Sequence, residues 1–201
     1  MVLAAAAVAI ALPVFVMVAI AIVVESRGPV FYRAHRVGQH GREDRMLKFR
    51  KMHSDAAGPR LTQGDDERFT RVGRFLARSK LDELPQLVNV LSGKMALVGP
   101  RPEDPTYVAL YPQAFEQILT VPPGITGLAQ LDHIDESDEL TGEDFEHHYC
   151  SVILPRKLET DCFYVENRSA MLDLRILAQT VRASLQRCVN PSGNGSAKKA
   201  A

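Results

Sequence analysis

Tryptophan is absent from the 201-residue chain, and cysteine occurs only as Cys150, Cys162 and Cys188, with no CxxC pair. That spacing excludes a zinc ribbon or a disulfide scaffold, and an odd thiol count facing the cytoplasm reads as reduced cysteine. Histidine is scarce, and His147-His148 and Asp132-His133 read as solvated surface rather than metal ligands. There is no internal repeat. Basic and acidic residues number 24 each, so the formal charge is zero, and no nucleic-acid partner is expected.

Charge is also missing locally. From Val2 to Val24 there is neither a charged nor a polar side chain. At about 1.5 Å per residue a helix of that stretch reaches roughly 35 Å, enough to cross a hydrocarbon core of about 30 Å. A wholly soluble protein is excluded, unless the segment is cleaved, and so is a polytopic transporter, because no second apolar stretch of that length follows. A secretory signal has basic residues before a shorter apolar run, which is not the pattern here. The flank after the run is basic, with Arg27, Arg33, Arg36, Arg42, Arg45, Lys48, Arg50 and Lys51 against only Glu43 and Asp44. Such a flank places that end in the cytoplasm, where anionic headgroups add attraction. Pro13 bends the run, as a kinked single span or as a helical hairpin that re-enters the cytoplasmic side; composition fits both.

The rest predicts mostly helix with short strands. Val30-Phe31-Tyr32 reads as extended chain after Gly28-Pro29. Phe69, Val72, Phe75 and Leu76 recur at helical spacing among Arg68, Arg71, Arg74 and Arg78, which fits a core-packing helix or one lying in the membrane interface. Ser79 and Asp82 fit a helix-start signature, with Pro85 close by. In either register Asp82 and Glu83 would sit at a helix N-terminus, whose dipole stabilises an ionised carboxylate. Pro100-Arg101-Pro102 presents one guanidinium from a stiff turn, a planar fork suited to phosphate. A last helix, about Met171 to Leu185, places Leu174, Leu177, Val181 and Leu185 on one face, and residues 189–201 read as a disordered tail. The domain reading is a membrane helix over 1–25, a cytoplasmic domain over 26–188, and that tail.

Several blocks in order carry a family resemblance. They are Gly28-Pro-Val-Phe31, Arg36-Val-Gly38, Lys48-Phe-Arg50, Thr70-Arg-Val-Gly-Arg-Phe75 and Leu81-Asp-Glu-Leu-Pro-Gln-Leu87. Leu97-Val-Gly-Pro-Arg-Pro-Glu103, Pro123-Gly-Ile-Thr-Gly127, Tyr164-Val-Glu-Asn167 and Leu172-Asp-Leu-Arg-Ile176 follow. From Pro13 to about Val181 the chain resembles the bacterial sugar transferases, the monotopic phosphoglycosyl transferases. Two departures stand out: Leu12 replaces the serine common before the membrane proline, and the tryptophans common after the Tyr-x-x-Asn piece are missing.

The resemblance implies transfer of a sugar 1-phosphate from a nucleotide diphosphate sugar, usually a UDP-sugar, to polyprenyl (undecaprenyl) phosphate. UMP leaves, and the product begins a surface polysaccharide or glycan. It also implies a re-entrant membrane helix bent at Pro13, below an interfacial domain with amphipathic helices at the cytoplasmic face of the inner membrane. Asp82 would be the covalent nucleophile and a ligand of an assisting Mg²⁺, with Glu83 as its catalytic partner. Lys48, Arg50 and Arg101, framed by Pro100 and Pro102, would bind phosphates. Oligomeric state stays open, a homodimer included. The alternative reading is an inactive membrane-anchored scaffold or a phosphate-binding regulatory module.

Overall fold

The computed structural model describes residues 2–59, 61–62, 66–133, 140 and 144–189. The tail from Asn190 onward lies outside the described residues.

The apolar run forms one helix, α1 (Val2–Glu25), with Pro13 inside it. Its hydrophobicity is not confined to one face, so no single packing partner can cover it. Val18 and Ile22 are buried against Phe49 and Leu76, with Val14 and Phe15 partly covered in the same cluster. Ile10, Met17, Ile20 and Val24 remain exposed. The helix is long and apolar enough to cross a membrane, and most of its apolar surface is left uncovered by the rest of the fold.

Two polar clamps fix the C-terminal end of α1. Past the last turn, Arg50 donates to the carbonyls of Ser26 at 2.8 Å and Arg27 at 2.7 Å, which the helix cannot satisfy itself. The Glu25 carboxylate accepts from the backbone N–H groups of Arg71 at 2.7 Å and Val72 at 2.9 Å, at the start of α2 (Arg71–Ser79).

Strands β1 (Phe31–Val37) and β2 (Glu43–Phe49) form an antiparallel hairpin in which Phe31 faces Phe49 and Val37 faces Glu43. Its inner residues Ala34 and Met46 pack on Val90 of α3 (Gln86–Leu91) and on Met95. A parallel pair, β3 (Ala96–Val98) and β4 (Gly124–Thr126), lies beyond. The extended piece foreseen at Val30–Tyr32 is thus the start of a longer strand, with β2 as its partner.

The distal part is helical: α4 (Pro105–Val108), α5 (Pro112–Ile118), α6 (Leu128–Asp132) and α7 (Phe145–His148). A π-helical turn, Tyr149–Ile153, leads into α8 (Leu154–Asn167), followed by α9 (Ala170–Val189). Tyr107, Phe115, Leu140, Tyr149 and Leu154 share its core. On α9 the buried residue is Ile176, packed with Val98 and Tyr164, while Leu174, Val181 and Leu185 face outward.

Gly73 shows how tightly α2 seats. A Cβ there would lie 1.8 Å from the backbone oxygen of Lys51. Inside a helix Gly→Ala ordinarily gains up to about 1 kcal/mol. Here the obstacle is backbone that cannot swing aside, so Gly73→Ala is expected to lower Tm by several degrees in thermal unfolding. A raised Tm would show that α2 does not pack on Lys51.

Candidate active site

The acidic pair sits in a turn rather than at a helix start. Lys80 takes a left-handed backbone (φ 59°) and ends α2. A single 3₁₀ turn, Leu81–Glu83, then carries the chain to Pro85, and α3 begins only at Gln86. Ser79 is no cap, because its hydroxyl donates to the carbonyl of Phe75 at 2.8 Å inside α2. The expectation of Asp82 and Glu83 at a helix N-terminus is therefore corrected. Leu81 and Leu84 pack with the cluster that holds α1, and this turns Asp82 inward to 2% exposure.

Without a helix dipole, both carboxylates are balanced by cations from other elements. Glu83 accepts from Lys48 Nζ at 2.9 Å and from Arg101 at 2.6 and 3.3 Å. Lys51 Nζ lies 3.5 Å from Asp82 Oδ2 and 5.4 Å from the centre of the Phe69 ring. Burial works to raise the Glu83 pKa, yet the charges of Arg101 and Lys48 overcome it and hold the carboxyl well below the usual range. Lys48 is pushed down to about 8, first by burial and then by the cation of Arg101, with Glu83 opposing.

Each cation has a reason for its place. Lys48 is an inward residue of β2. Arg101 follows the β3–β4 pair, where the Pro100 carbonyl accepts from Gly124 N–H at 2.8 Å and Gly99 N–H reaches Thr126 O at 2.9 Å. A Cβ on Gly124 would meet Gly99 N at 2.1 Å, so the two backbones approach only because no side chain intervenes. On the far side the Glu103 carbonyl accepts from Val37 N–H at 2.9 Å. Pro100 and Pro102 therefore frame a turn anchored on both flanks.

Of the residues singled out in the sequence, Asp82, Glu83, Lys48 and Arg101 come together, and Arg50 does not, because its guanidinium is engaged with α1. Pro13 is far along α1 from the dyad in sequence. Lys51 was missed as a site residue, although it closes the same Lys48-Phe49-Arg50 block.

A second buried polar group, also missed, adjoins the turn. Lys157 Nζ donates to Glu103 Oε1 at 3.0 Å and to Tyr149 Oη at 3.0 Å, and the Tyr149 hydroxyl donates to Glu103 Oε1 at 2.9 Å. Asp161, one helical turn beyond Lys157, is pushed up to about 7 by burial, against the charge of Lys157. Its only sequence signal is a Lys-x-x-x-Asp spacing on the α8 face that also carries Leu154 and Leu158.

No group of three His, Cys, Asp or Glu side chains suited to a metal occurs among the described residues. Glu83 is occupied by two cations, whereas the Asp82 carboxylate faces one ammonium at 3.5 Å. One available carboxylate fits Mg²⁺, which binds through one or two carboxylates together with substrate phosphates.

The fold thus gathers an acidic pair with lysine and arginine side chains in a turn packed against the apolar helix α1. The bacterial sugar transferase family model matches residues 1–187, and the chain belongs to that family. It is 38% identical over 167 residues to a UDP-N-acetylgalactosamine-undecaprenyl-phosphate N-acetylgalactosaminephosphotransferase of Aeromonas hydrophila, covering 81% of this chain and 37% of that one. It is 38% identical to the uncharacterized sugar transferase EpsL of Bacillus subtilis, covering 78% and 70%. It is 39% identical to a UDP-glucose:undecaprenyl-phosphate glucose-1-phosphate transferase of Xanthomonas campestris, covering 78% and 32%. The chain thus spans about a third of the length of the first and last of these.

The Lys48 pair has a pH consequence. Folding lowers the lysine from 10.5 to about 8, so between those values the native state binds fewer protons than the unfolded chain. Over that window this group's contribution to stability rises with pH, while the Lys48–Glu83 ion pair is lost above about 8. A Lys48 Cε chemical-shift titration is expected to show a midpoint near 8, moving upward in Arg101→Gln. A wild-type midpoint at the ordinary lysine value would mean that the ammonium is solvated.

Proposed function

We propose that this protein transfers a sugar 1-phosphate from a UDP-sugar to polyprenyl phosphate in two steps. The observation that carries the reading is the buried Asp82 carboxylate, next to Glu83 with its Lys48 and Arg101 pairs, in the turn packed against α1. The printed names of the Aeromonas and Xanthomonas relatives support the substrate classes.

In the first step an Asp82 oxygen attacks the phosphorus that carries the sugar. The bond from that phosphorus to the bridging oxygen breaks, UMP departs with the electron pair, and a sugar-phosphoryl aspartate remains. In the second step a phosphate oxygen of the polyprenyl phosphate attacks the same phosphorus. The bond to Asp82 breaks, freeing the carboxylate and forming the polyprenyl diphosphate sugar. Lys48 and Arg101, held on Glu83 before substrate arrives, are positioned to share their donors with the phosphoryl oxygens. Glu83, its pKa held well below the usual range, is better suited to holding these two cations than to accepting a proton. Bound Mg²⁺, with Asp82 as its protein ligand, would neutralise diphosphate charge.

Placement at the cytoplasmic face of the inner membrane belongs to the same reading, because one substrate is dissolved in the cytosol and the other in lipid. So does a re-entrant α1. An impermeant maleimide on Val2→Cys, in a background without native cysteines, should label that position only from the cytoplasmic side of sealed vesicles. Labelling only from the opposite side would mean a spanning helix.

Multiple-turnover release of UMP from a UDP-sugar should require polyprenyl phosphate and Mg²⁺, with no more than one equivalent per enzyme released without the acceptor, and should fall by several orders of magnitude in Asp82→Asn, with membrane insertion unchanged. Wild-type turnover in Asp82→Asn would rule out the covalent role. Absence of UMP release across a panel of UDP-sugars would favour the scaffold reading.

A further inference from the structure

Apart from the Asp82–Glu83 cluster, the outer face of the hairpin carries an electrostatic arrangement that the proposed reaction does not use. Arg33 on β1 stands opposite Leu47, and Arg45 on β2 stands opposite His35, so the two arginines are diagonal neighbours on one face. Diagonal neighbours across strands are within reach of long side chains, so the two like charges repel. Both side chains are exposed, and neither has an ion-pair or hydrogen-bond partner among the described residues. The nearby acids are engaged elsewhere, Glu43 with His35 at 3.0 Å and Asp44 with Lys94 at 2.9 Å.

The arginines border an open groove of about 240 Å³ between β2 and α3. Lys94 and Ser92 complete its polar rim, and Leu47 and Val88 supply apolar lining. The groove is fastened before any ligand arrives, because Asn89 of α3 accepts from Leu47 N–H at 3.0 Å and donates to Arg45 O at 3.0 Å. Its position is informative too. β1 starts just beyond the end of α1, α3 packs against α1, and Val88 (46% exposed), Phe31 and Tyr32 leave apolar surface uncovered nearby.

We propose that this groove binds the phosphate headgroup of an anionic membrane lipid, at a site separate from the acidic dyad. Two planar guanidiniums suit phosphate oxygens, and a bound phosphate supplies the negative charge that Arg33 and Arg45 lack. The Leu47–Val88 lining accommodates the first carbons of the lipid, and the neighbouring α1 places the groove beside the bilayer. The lining has no aromatic ring on which a nucleoside base would stack. The inference does not depend on the proposed reaction.

The test uses the full chain in nanodiscs of phosphatidylcholine, reading the Nε–Hε NMR signals of Arg33 and Arg45. Added phosphatidylglycerol, or separately polyprenyl phosphate, should shift both signals saturably. Each arginine is worth about fivefold at an anionic surface, so Arg33→Gln with Arg45→Gln should weaken lipid retention about 30-fold. Circular dichroism checks that these exposed substitutions leave the fold intact. Inorganic phosphate shifting the signals equally well at equal concentration would make this a free-anion site and overturn the lipid assignment. No saturable shift with either lipid would overturn the proposal altogether.

Discussion

Glu83 cannot lie largely shielded from water beside the buried Asp82 unless its charge is answered on the spot. Removing a carboxylate from water costs several kcal/mol even after relaxation, and a second carboxylate next to it adds repulsion. Lys48 and Arg101 meet that demand with contacts of 2.9 and 2.6 Å, and they come from segments far apart in the chain. The hairpin must present Lys48 inward, and the β3–β4 pair must hold Arg101 in its turn. The 3₁₀ turn must then deliver both acids at once. Truncating Glu83 removes the partner of the buried Lys48, so the arrangement supports the fold as well as the proposed chemistry.

Helix α1, in the membrane setting proposed for it, is joined to this cluster by a different kind of force. Against lipid tails, apolar contacts of Val18 and Ile22 with Phe49 and Leu76 gain little, because hydrocarbon would cover those side chains equally well. Hydrogen bonds must then define where α1 sits. Arg50 on the Ser26 and Arg27 carbonyls and Glu25 on the start of α2 do so, each placing a side-chain charge where a helix end has unsatisfied backbone groups. Lys48, Phe49, Arg50 and Lys51 are consecutive, so one strand end holds the dyad, the α1 packing surface and the α1 clamp. Any phosphate held by Lys48 is therefore kept at a fixed place relative to α1.

Much of this was legible in the residues. The uncharged run, the extended piece after Gly28-Pro29, the arginine-bearing helix (which starts at Arg71, leaving Phe69 in a bridge to Met52) and the gathering of Asp82, Glu83, Lys48 and Arg101 follow from pattern and family resemblance. The helix start at Asp82 did not hold, because Lys80 adopts a left-handed conformation that local propensity does not foretell for lysine. Arg50 read as a phosphate ligand from the family's Lys-Phe-Arg block, but it lies just past the end of β2, where its guanidinium is taken up by the Ser26 and Arg27 carbonyls. Lys157 and Asp161 look like ordinary surface charges on a helix, and only the tertiary packing of α8 buries them.

The central claim is that Asp82 carries the phosphosugar while Glu83 holds the cations. Intact-mass analysis of the full chain, mixed with a UDP-sugar and Mg²⁺ without acceptor, tests it directly. The account predicts a mass gain of one sugar phosphate, located by peptide mapping to Asp82 and lost when polyprenyl phosphate is added. Turnover without any adduct, or an adduct mapped to Glu83, would contradict it.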